Sequence, residues 1–445
     1  MTLKTFKGGV HPGDYKSATE GKPSVAAKPP AVAMIPLSQH SGAPCEPLVA
    51  VGDLVKKGQK IGDSDASISA PVHASISGKV IKIGTCRSSQ GRTVNAVFIE
   101  NDFQETWHED VKPNPNWEQL SAEEIVKIVR EAGIVGMGGA AFPTHYKLVP
   151  PADEPIKYVI VNGAECEPYL TCDHRVMLER PDDLVLGVKL VMKAVKAEKA
   201  LIGIEDNKPD AIAVVTKAAA NEPNIEVHAL HTKYPQGSGK QLNTVLTGME
   251  VPSGCQSSAV GCLVQNVTTC IAVADAVCFG VPSIERIVTI TGSGIKEPKN
   301  LLVRVGTPIE ELIEECGGFT DDVRKLILGG PMMGPALPGP EDLPVTKGTC
   351  GILCMTEAEV KEYEIQPCIK CGKCVEVCPM NLMPLFLASA VEHNMYDKAE
   401  AYHAVDCIEC GCCSYICPAK RPLTQWIGMA KAEIKAAKRR AAAAK

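Results

Sequence analysis

The sequence predicts a multidomain α/β and α+β chain with an α-helical, cysteine-rich module at its C-terminal end. Three observations predict this. Short β-type runs punctuated by glycine fill residues 31–115. Strand and helix patterns alternate over 116–285. Near the C-terminus, cysteines recur in two runs of identical spacing. Strands alternating with helices build a parallel sheet covered by helices, whereas closely spaced glycine-bounded strands build a small β-sandwich or barrel.

Length and composition set limits first. A chain of 445 residues is expected to hold roughly three or more domains. Its 45% hydrophobic and 22% charged residues are ordinary for globular cores and surfaces. Aromatics at 4% leave little for base- or sugar-stacking platforms, and a net charge of −6 argues against a nucleic-acid partner. The opening Met-Thr-Leu-Lys-Thr-Phe-Lys carries no apolar signal region, and so many cysteines without a signal are expected in a reducing compartment. The longest apolar stretch, 264–281, is interrupted by Gln265, Asn266 and Asp275, so no membrane span is expected.

Along the chain, residues 1–30 read as a Gly/Pro/Lys/Ala-rich arm with little regular structure. In 31–115 the runs Val51–Gly62 and Ile68–Val80 alternate apolar residues between glycine turns. Their hairpin tip, Asp65-Ala-Ser67, lacks the lysine of a swinging-arm carrier, so a docking or packing module is expected. Ser121-Ala-Glu-Glu124 is a capping box opening a helix with Ile125, Ile128 and Val129 on one face. After that helix comes Gly136-Met-Gly138-Gly139-Ala-Ala-Phe142-Pro-Thr-His-Tyr-Lys147. Its Gly136-x-Gly138-x-x-Ala141 spacing follows a helix instead of a strand, so it is not the ordinary dinucleotide turn. Consecutive glycines still allow backbone N–H groups to approach a phosphate or a flat ring. A buried-type strand, Tyr158–Asn162, then delivers Gly163-Ala-Glu165-Cys-Glu167, where open α/β sheets bind ligands. Helices around 184–197 and 209–220 and strands near 200–203 and 225–229 complete that layer, closing at 285. Tyr234–Gln241 lacks the first glycine and the hydroxyl residue of a Walker loop, so no ATP site is expected. Residues 286–330 form a ββα unit of β-grasp type, with Pro308 at the first position of a helix capped by Thr307. A Pro/Gly-rich linker is expected over 331–365.

The cysteine runs lie in 366–425. Cys368, Cys371, Cys374 and Cys378 precede Pro379, and Cys407, Cys410, Cys413 and Cys417 precede Pro418, each as C-x2-C-x2-C-x3-C-P. That is the spacing that holds a [4Fe–4S] cubane, and two identical quartets separate it from the paired pairs of a zinc ribbon. In two-cluster ferredoxins the fourth cysteine crosses over, which predicts Cys368, Cys371, Cys374 and Cys417 on one cluster and Cys378, Cys407, Cys410 and Cys413 on the other. Cys412 is left as a spare thiol. Residues 426–445 read as a basic helix with Trp426, Ile427, Ala430 and Ile434 on its apolar stripe, suited either to packing on the cysteine module or to a membrane or partner surface.

Gly136–Thr144, Val161–Pro168 and Asn266-Val-Thr-Thr269 resemble the loops of the NADH-oxidising flavoprotein subunit of complex I. The order of modules, opening with Phe6-Lys-Gly-Gly-Val-His-Pro12, resembles the RnfC family, the C-subunits of the Rnf (Rsx) ion-translocating ferredoxin:NAD oxidoreductases. The resemblance implies a barrel-sandwich hybrid domain, a flavin domain, a soluble-ligand-binding β-grasp domain and a ferredoxin-like double-cluster module. It implies FMN held non-covalently, with Gly136, Gly138 and Gly139 cradling it, Lys147 near its phosphate, and Asn266 and Thr269 on the far loop. Asn162, Glu165 and Glu167 would line the flavin and nicotinamide side, with Gly237 in the same pocket and Phe142 against the dinucleotide. Ala164 and Ser238-Gly239 stand where the complex I flavoprotein has acids, on the nucleotide side. NAD(H) would be the substrate, the other subunits of a membrane redox complex the partners, ferredoxin an indirect one, and the cytoplasmic membrane face the peripheral location. Two alternatives remain at this point: a soluble reductase of the cobalamin-reductase type, and an electron-transfer adaptor without nucleotide chemistry.

Overall fold

The computed structural model describes residues 3–443. The N-terminal β module is a four-stranded sheet ordered Val32–Pro36, Thr93–Asn101, Gly78–Arg87, Leu54–Val55, facing a three-stranded sheet ordered Glu46–Pro47, Lys60–Asp63, Val72–His73. Its core is aliphatic, with Ile35, Ile61, Ile76 and Ile99 fully buried. The exposed tip at 65–67 carries no lysine, and the module packs against its neighbours. Ser41 donates its N–H to the Ala141 carbonyl and its O–H to that of Ala140, both at 3.1 Å.

The central layer is a wholly parallel four-stranded sheet ordered Ile225–Leu230, Lys199–Glu205, Tyr158–Gly163, Cys262–Asn266. In chain order this is 3-2-1-4, so the winding reverses between Tyr158–Gly163 and Cys262–Asn266. Helices Ala122–Glu131, Pro181–Val195 and Val267–Phe279 cover one face. The first begins at the expected capping box, with Ser121 and Glu124 bonded reciprocally. At the crossing of the other two, a Cβ on Gly187 would stand 1.9 Å from the Cys270 carbonyl oxygen. Only glycine lets those helices approach so closely.

The β-grasp unit is larger than its sequence suggests. Its sheet runs Val25–Ala26, Lys299–Arg304, Glu285–Thr291, Gly351–Thr356, Val323–Leu328, Ala336–Leu337. Three expectations are corrected. Residues 331–365 are not only a linker, because Gly351–Thr356 is a central strand, parallel to Glu285–Thr291 and antiparallel to Val323–Leu328; burying Ile352, Leu353 and Cys354 drives it there. The described part of the expected arm, residues 3–30, is not loose but a strap. Lys4 bridges to Leu230, Val10 pairs with Tyr234, and Val25–Ala26 adds a parallel edge strand beside Leu301 and Leu302. Thr307 does not cap its helix either: its hydroxyl donates to the Arg304 carbonyl, and the helix Ile309–Glu315 begins after Pro308.

The terminal helix, Leu423–Ala443, lays Ile427, Ala430 and Ile434 into the core of the cysteine module. Its apolar stripe is thereby used up in packing. Among the described residues no helix is long and apolar enough to cross a membrane.

One buried cation fastens three of these parts. Lys347, 1% exposed, donates to the carbonyls of Pro71 in the β module (2.6 Å) and Gly133 after the first helix (2.7 Å). Burial pulls its pKa from 10.5 down to about 7. Between those values the unfolded chain binds the extra proton, so stability rises with pH across that window, and below about 7 the full cost of burying the charge remains. Wild type should therefore gain on Lys347→Met between pH 7 and 9 by up to about 1.4 kcal/mol per unit, read as the difference in thermal midpoint; a pH-independent difference would refute it. Gly187→Ala should destabilise by about 1–3 kcal/mol through overpacking, measured by urea unfolding, with no effect expected from Ala at the open Gly21.

Candidate functional site

The reversal of winding leaves a crevice at the carboxyl ends of two neighbouring strands, and two asparagines mark it. Asn162 and Asn266 are register partners at those ends. Asn162 accepts from the Ala164 N–H (3.1 Å) and donates to the Gly237 carbonyl (2.9 Å), drawing the 234–238 loop over the crevice. Asn266 is the N-cap of Val267–Phe279, accepting from the Thr269 N–H at 3.2 Å, while its amide donates to Asp173 at 2.7 Å. The Thr269 hydroxyl in turn accepts from the Met137 N–H at 2.9 Å.

That bond seats the glycine-rich loop. Gly136 donates to the Phe142 carbonyl (2.8 Å) and Ala141 to that of Gly136 (3.1 Å), closing the loop on itself. Gly139 has φ +105°, and a Cβ there would meet nothing within 4 Å; one on Gly138 would lie 3.5 Å from the Asn266 Cβ. Gly138 and Gly139 are exposed. The loop therefore presents bare backbone to whatever enters the crevice, as a flat ring or phosphate requires. Phe142 is half-buried, edge-on to Tyr146 at 5.7 Å. These residues fit FMN.

Three expected ligands are placed differently. Lys147 is half-buried and its ammonium donates to the Val264 carbonyl, with desolvation lowering its pKa to about 8. Glu165 accepts from the N–H groups of Asp173 (2.7 Å) and His174 (3.1 Å), capping the helix Cys172–Glu179. Glu167 accepts from the N–H groups of Met332 (3.1 Å) and Met333 (3.0 Å), and burial raises its pKa to about 7. Both carboxylates are engaged by backbone amides, which satisfy the acceptors of acids withdrawn from water. Sequence reasoning missed Asp173, whose buried carboxylate bonds both Asn266 and Thr268 at 2.7 Å and is raised to about 6 by burial and then by Glu165. It also missed Arg286, buried and donating to the Met137 carbonyl at 3.3 Å. Neither sits in a periodic or motif position, so only the fold could show them.

The cysteine quartets fold alike. Lys370 (φ +58°) and Glu409 (φ +56°) precede the second cysteine of each, and Gly372 (φ +78°) and Gly411 (φ +82°) follow it. The Lys370 N–H donates to the Cys368 sulfur at 3.4 Å and the Glu409 N–H to that of Cys407 at 3.3 Å. Cys368, Cys371, Cys374 and Cys417 line one cavity; Cys378, Cys407, Cys410 and Cys413 line a second, tighter one that Cys412 also borders. The fourth cysteine of each run thus joins the other run's cavity. Four cysteines around each cavity fit a group that fills a cavity, as a cubane does.

Family models match in the same order: the RnfC barrel sandwich hybrid domain over 4–104, the Nuo51 FMN-binding domain over 129–275, the SLBB domain over 287–336 and the 4Fe-4S dicluster domain over 367–420. The chain is 51% identical over 436 residues to the C-subunit of the proton-translocating ferredoxin:NAD(+) oxidoreductase complex of Clostridium ljungdahlii, covering 98% of this chain and 95% of that one. It is 48% identical to the Na(+)-translocating counterpart of Acetobacterium woodii, covering 98% of each. The chain belongs to the RnfC family, the C-subunits of the ion-translocating ferredoxin:NAD oxidoreductases. The RnfC relative from the ion-translocating oxidoreductase complex of Rhodobacter capsulatus matches at 42%, over 97% of this chain and 83% of that one. Among solved structures, an NAD+-reducing [NiFe]-hydrogenase aligns with TM-score 0.48 and 19% identity, over 65% of this chain and 55% of that one.

As a family member with FMN-binding and dicluster modules, the chain has FMN and [4Fe–4S] groups as its cofactors. Cys412→Ala should keep the full iron content after anaerobic reconstitution, whereas Cys410→Ala should lose about half of it, one cluster of the two. Equal iron loss in both variants would overturn the assignment of Cys412 as the spare thiol.

Proposed function

We propose that this chain exchanges hydride with NAD(H) in the crevice beyond Asn162 and Asn266 and relays single electrons through its two cysteine quartets to the other subunits of a membrane redox complex, with ferredoxin as an indirect partner. FMN supplies the interconversion of two-electron and one-electron transfer there, and the [4Fe–4S] groups supply one-electron steps. The chain's own residues orient and enclose. Gly138 and Gly139 offer backbone to the flavin on a loop that Gly136 closes; Asn266 and Thr269 fix that loop from beneath; Asn162 holds Gly237 across the opening.

The observation that carries this reading is the junction between crevice and cysteine module. The 234–238 loop that Asn162 holds is the same loop on which the second quartet rests. Cys412 packs beside the Tyr234 carbonyl (sulfur to oxygen 3.9 Å), and Gln241, in the helix that follows, donates to the Pro379 carbonyl at 3.0 Å. The Cys378/Cys407/Cys410/Cys413 cavity is thus the inner one. At the outer quartet, Cys368 and Cys371 are exposed beside Ile369 and Phe386, which suits exchange with a partner. The apolar stripe of the terminal helix is buried, so peripheral attachment at the cytoplasmic membrane face would come through partner subunits.

Anaerobic titration of the reconstituted, FMN-loaded protein with NADH tests this. Flavin absorbance should bleach and reduced-cluster EPR signals should follow. Clusters reduced by dithionite but untouched by NADH would remove the NAD site and leave an electron-transfer adaptor.

A further inference from the structure

We propose that Lys16, on the N-terminal strap, is a positioning residue that sets the shape of the 163–170 loop and thereby how the crevice receives its dinucleotide. This rests on the reading of the crevice as the FMN and NAD(H) site.

The loop is strained. Glu165 has φ +47° and Tyr169 φ +70°, left-handed values that non-glycine residues rarely adopt and that persist only where surroundings over-determine them. What over-determines them is an ammonium group. Lys16 is 3% exposed and donates to the carbonyls of Glu165 (3.0 Å), Glu167 (2.9 Å) and Leu170. An ammonium has three N–H donors, and here all three are spent on one six-residue arc. A second buried amine, Lys208, donates to the Ala164 carbonyl at 2.7 Å. Around Lys16 the strap grips the same arc: the Tyr169 N–H donates to the Asp14 carbonyl at 2.8 Å, and the Tyr15 ring stacks on that of Tyr169 at 4.8 Å. The loop begins at Asn162, which holds Gly237 across the crevice, so its curvature reaches the opening itself.

Lys22 provides the control. It lies on the same strap and donates to a single carbonyl, Pro298, away from the crevice at 3.0 Å. Lys16→Met and Lys22→Met remove the same charge from the same segment. In the full-length, cluster-loaded protein, Lys16→Met should raise the FMN dissociation constant or the NADH KM by about tenfold, up to about 100-fold, as small misplacements at a reacting site do. It should also speed hydrogen exchange in the 163–170 peptide, with iron content unchanged. Lys22→Met should leave all of these within about twofold. Equal effects of the two variants would reduce Lys16 to a strap anchor, and no change in either binding constant would overturn the proposal. Should Lys16→Met not fold, Lys16→Arg decides: its planar fork keeps the charge but cannot meet three converging carbonyls, so a shift in the same direction is expected and wild-type constants would refute it. If wild type itself binds neither FMN nor NADH, the reading of the crevice fails first, a result that leaves the exchange difference intact and so separates the two failures.

Discussion

The parallel pairing of Tyr158–Gly163 with Cys262–Asn266 is the constraint on which the rest depends. It ends both strands level, so that Asn162 and Asn266 stand side by side at the point where the winding reverses. Each asparagine then spends its amide on a different loop. One reaches Gly237, and through that loop the cysteine module; the other caps the helix whose Thr269 seats the glycine-rich turn. Moving that strand pair by one residue would turn both side chains into the body of the sheet. The crevice, the flavin loop and the contact with the inner quartet would then lose their common origin.

Cations in the interior join the modules that this sheet organises. Lys16, Lys208, Lys347 and Arg286 are all 3% exposed or less. An isolated buried charge is costly, so each survives by meeting several acceptors, and the acceptors are mostly backbone carbonyls from separate segments. Lys347 joins the β module to the turn before the glycine loop; Arg286 joins that loop to residue 347. Lys208 adds Glu205 at 3.3 Å, a pair equally buried on both sides. Such contacts contribute little net stability against a well-packed apolar alternative. They fix relative placement, which is what electron transfer between modules needs.

Much of this was legible beforehand, for identifiable reasons. The two cysteine runs read directly because cluster spacing is local, and the crossover of Cys378 and Cys417 followed from the repeat. The strands of the central layer were found because buried parallel strands are continuous apolar runs, and the glycine loop because consecutive glycines let bare backbone approach a phosphate or flat ring. The strand Gly351–Thr356 was hidden by its Pro- and Gly-rich surroundings, although Ile352-Leu-Cys-Met355 is a short apolar run of strand length. The strap looked structureless because its partners lie up to about 370 residues away in Val377, beyond any periodicity. Glu165 and Glu167 were expected to face a ligand because acids after a core strand often do; the backbone amides of Asp173, Met332 and Met333 reached them first. Asp173 and Lys16 act through contacts that only the closed chain supplies.

The two quartets show how equal sequences become unequal stations. Their loops share left-handed residues, glycine positions and an N–H to sulfur bond at 3.3–3.4 Å, so the loop backbones are matched. Their surroundings are not. The inner cavity is closed by Tyr234, Met332 and the strap, where the Gly9 N–H donates to the Val377 carbonyl at 2.8 Å. The outer one opens past exposed Cys368 and Cys371. Potentials of such groups depend on hydrogen bonds to sulfur and on solvent exposure. Both differ here: in the inner cavity Cys378 also accepts from the Leu382 N–H at 3.3 Å and Cys413 lies 3.5 Å from the Thr424 hydroxyl, and exposure is set by which face of the module the strap and the 234–238 loop cover. The difference between two motifs of equal spacing is thereby written into the packing of the N-terminal strap against the C-terminal cysteine module.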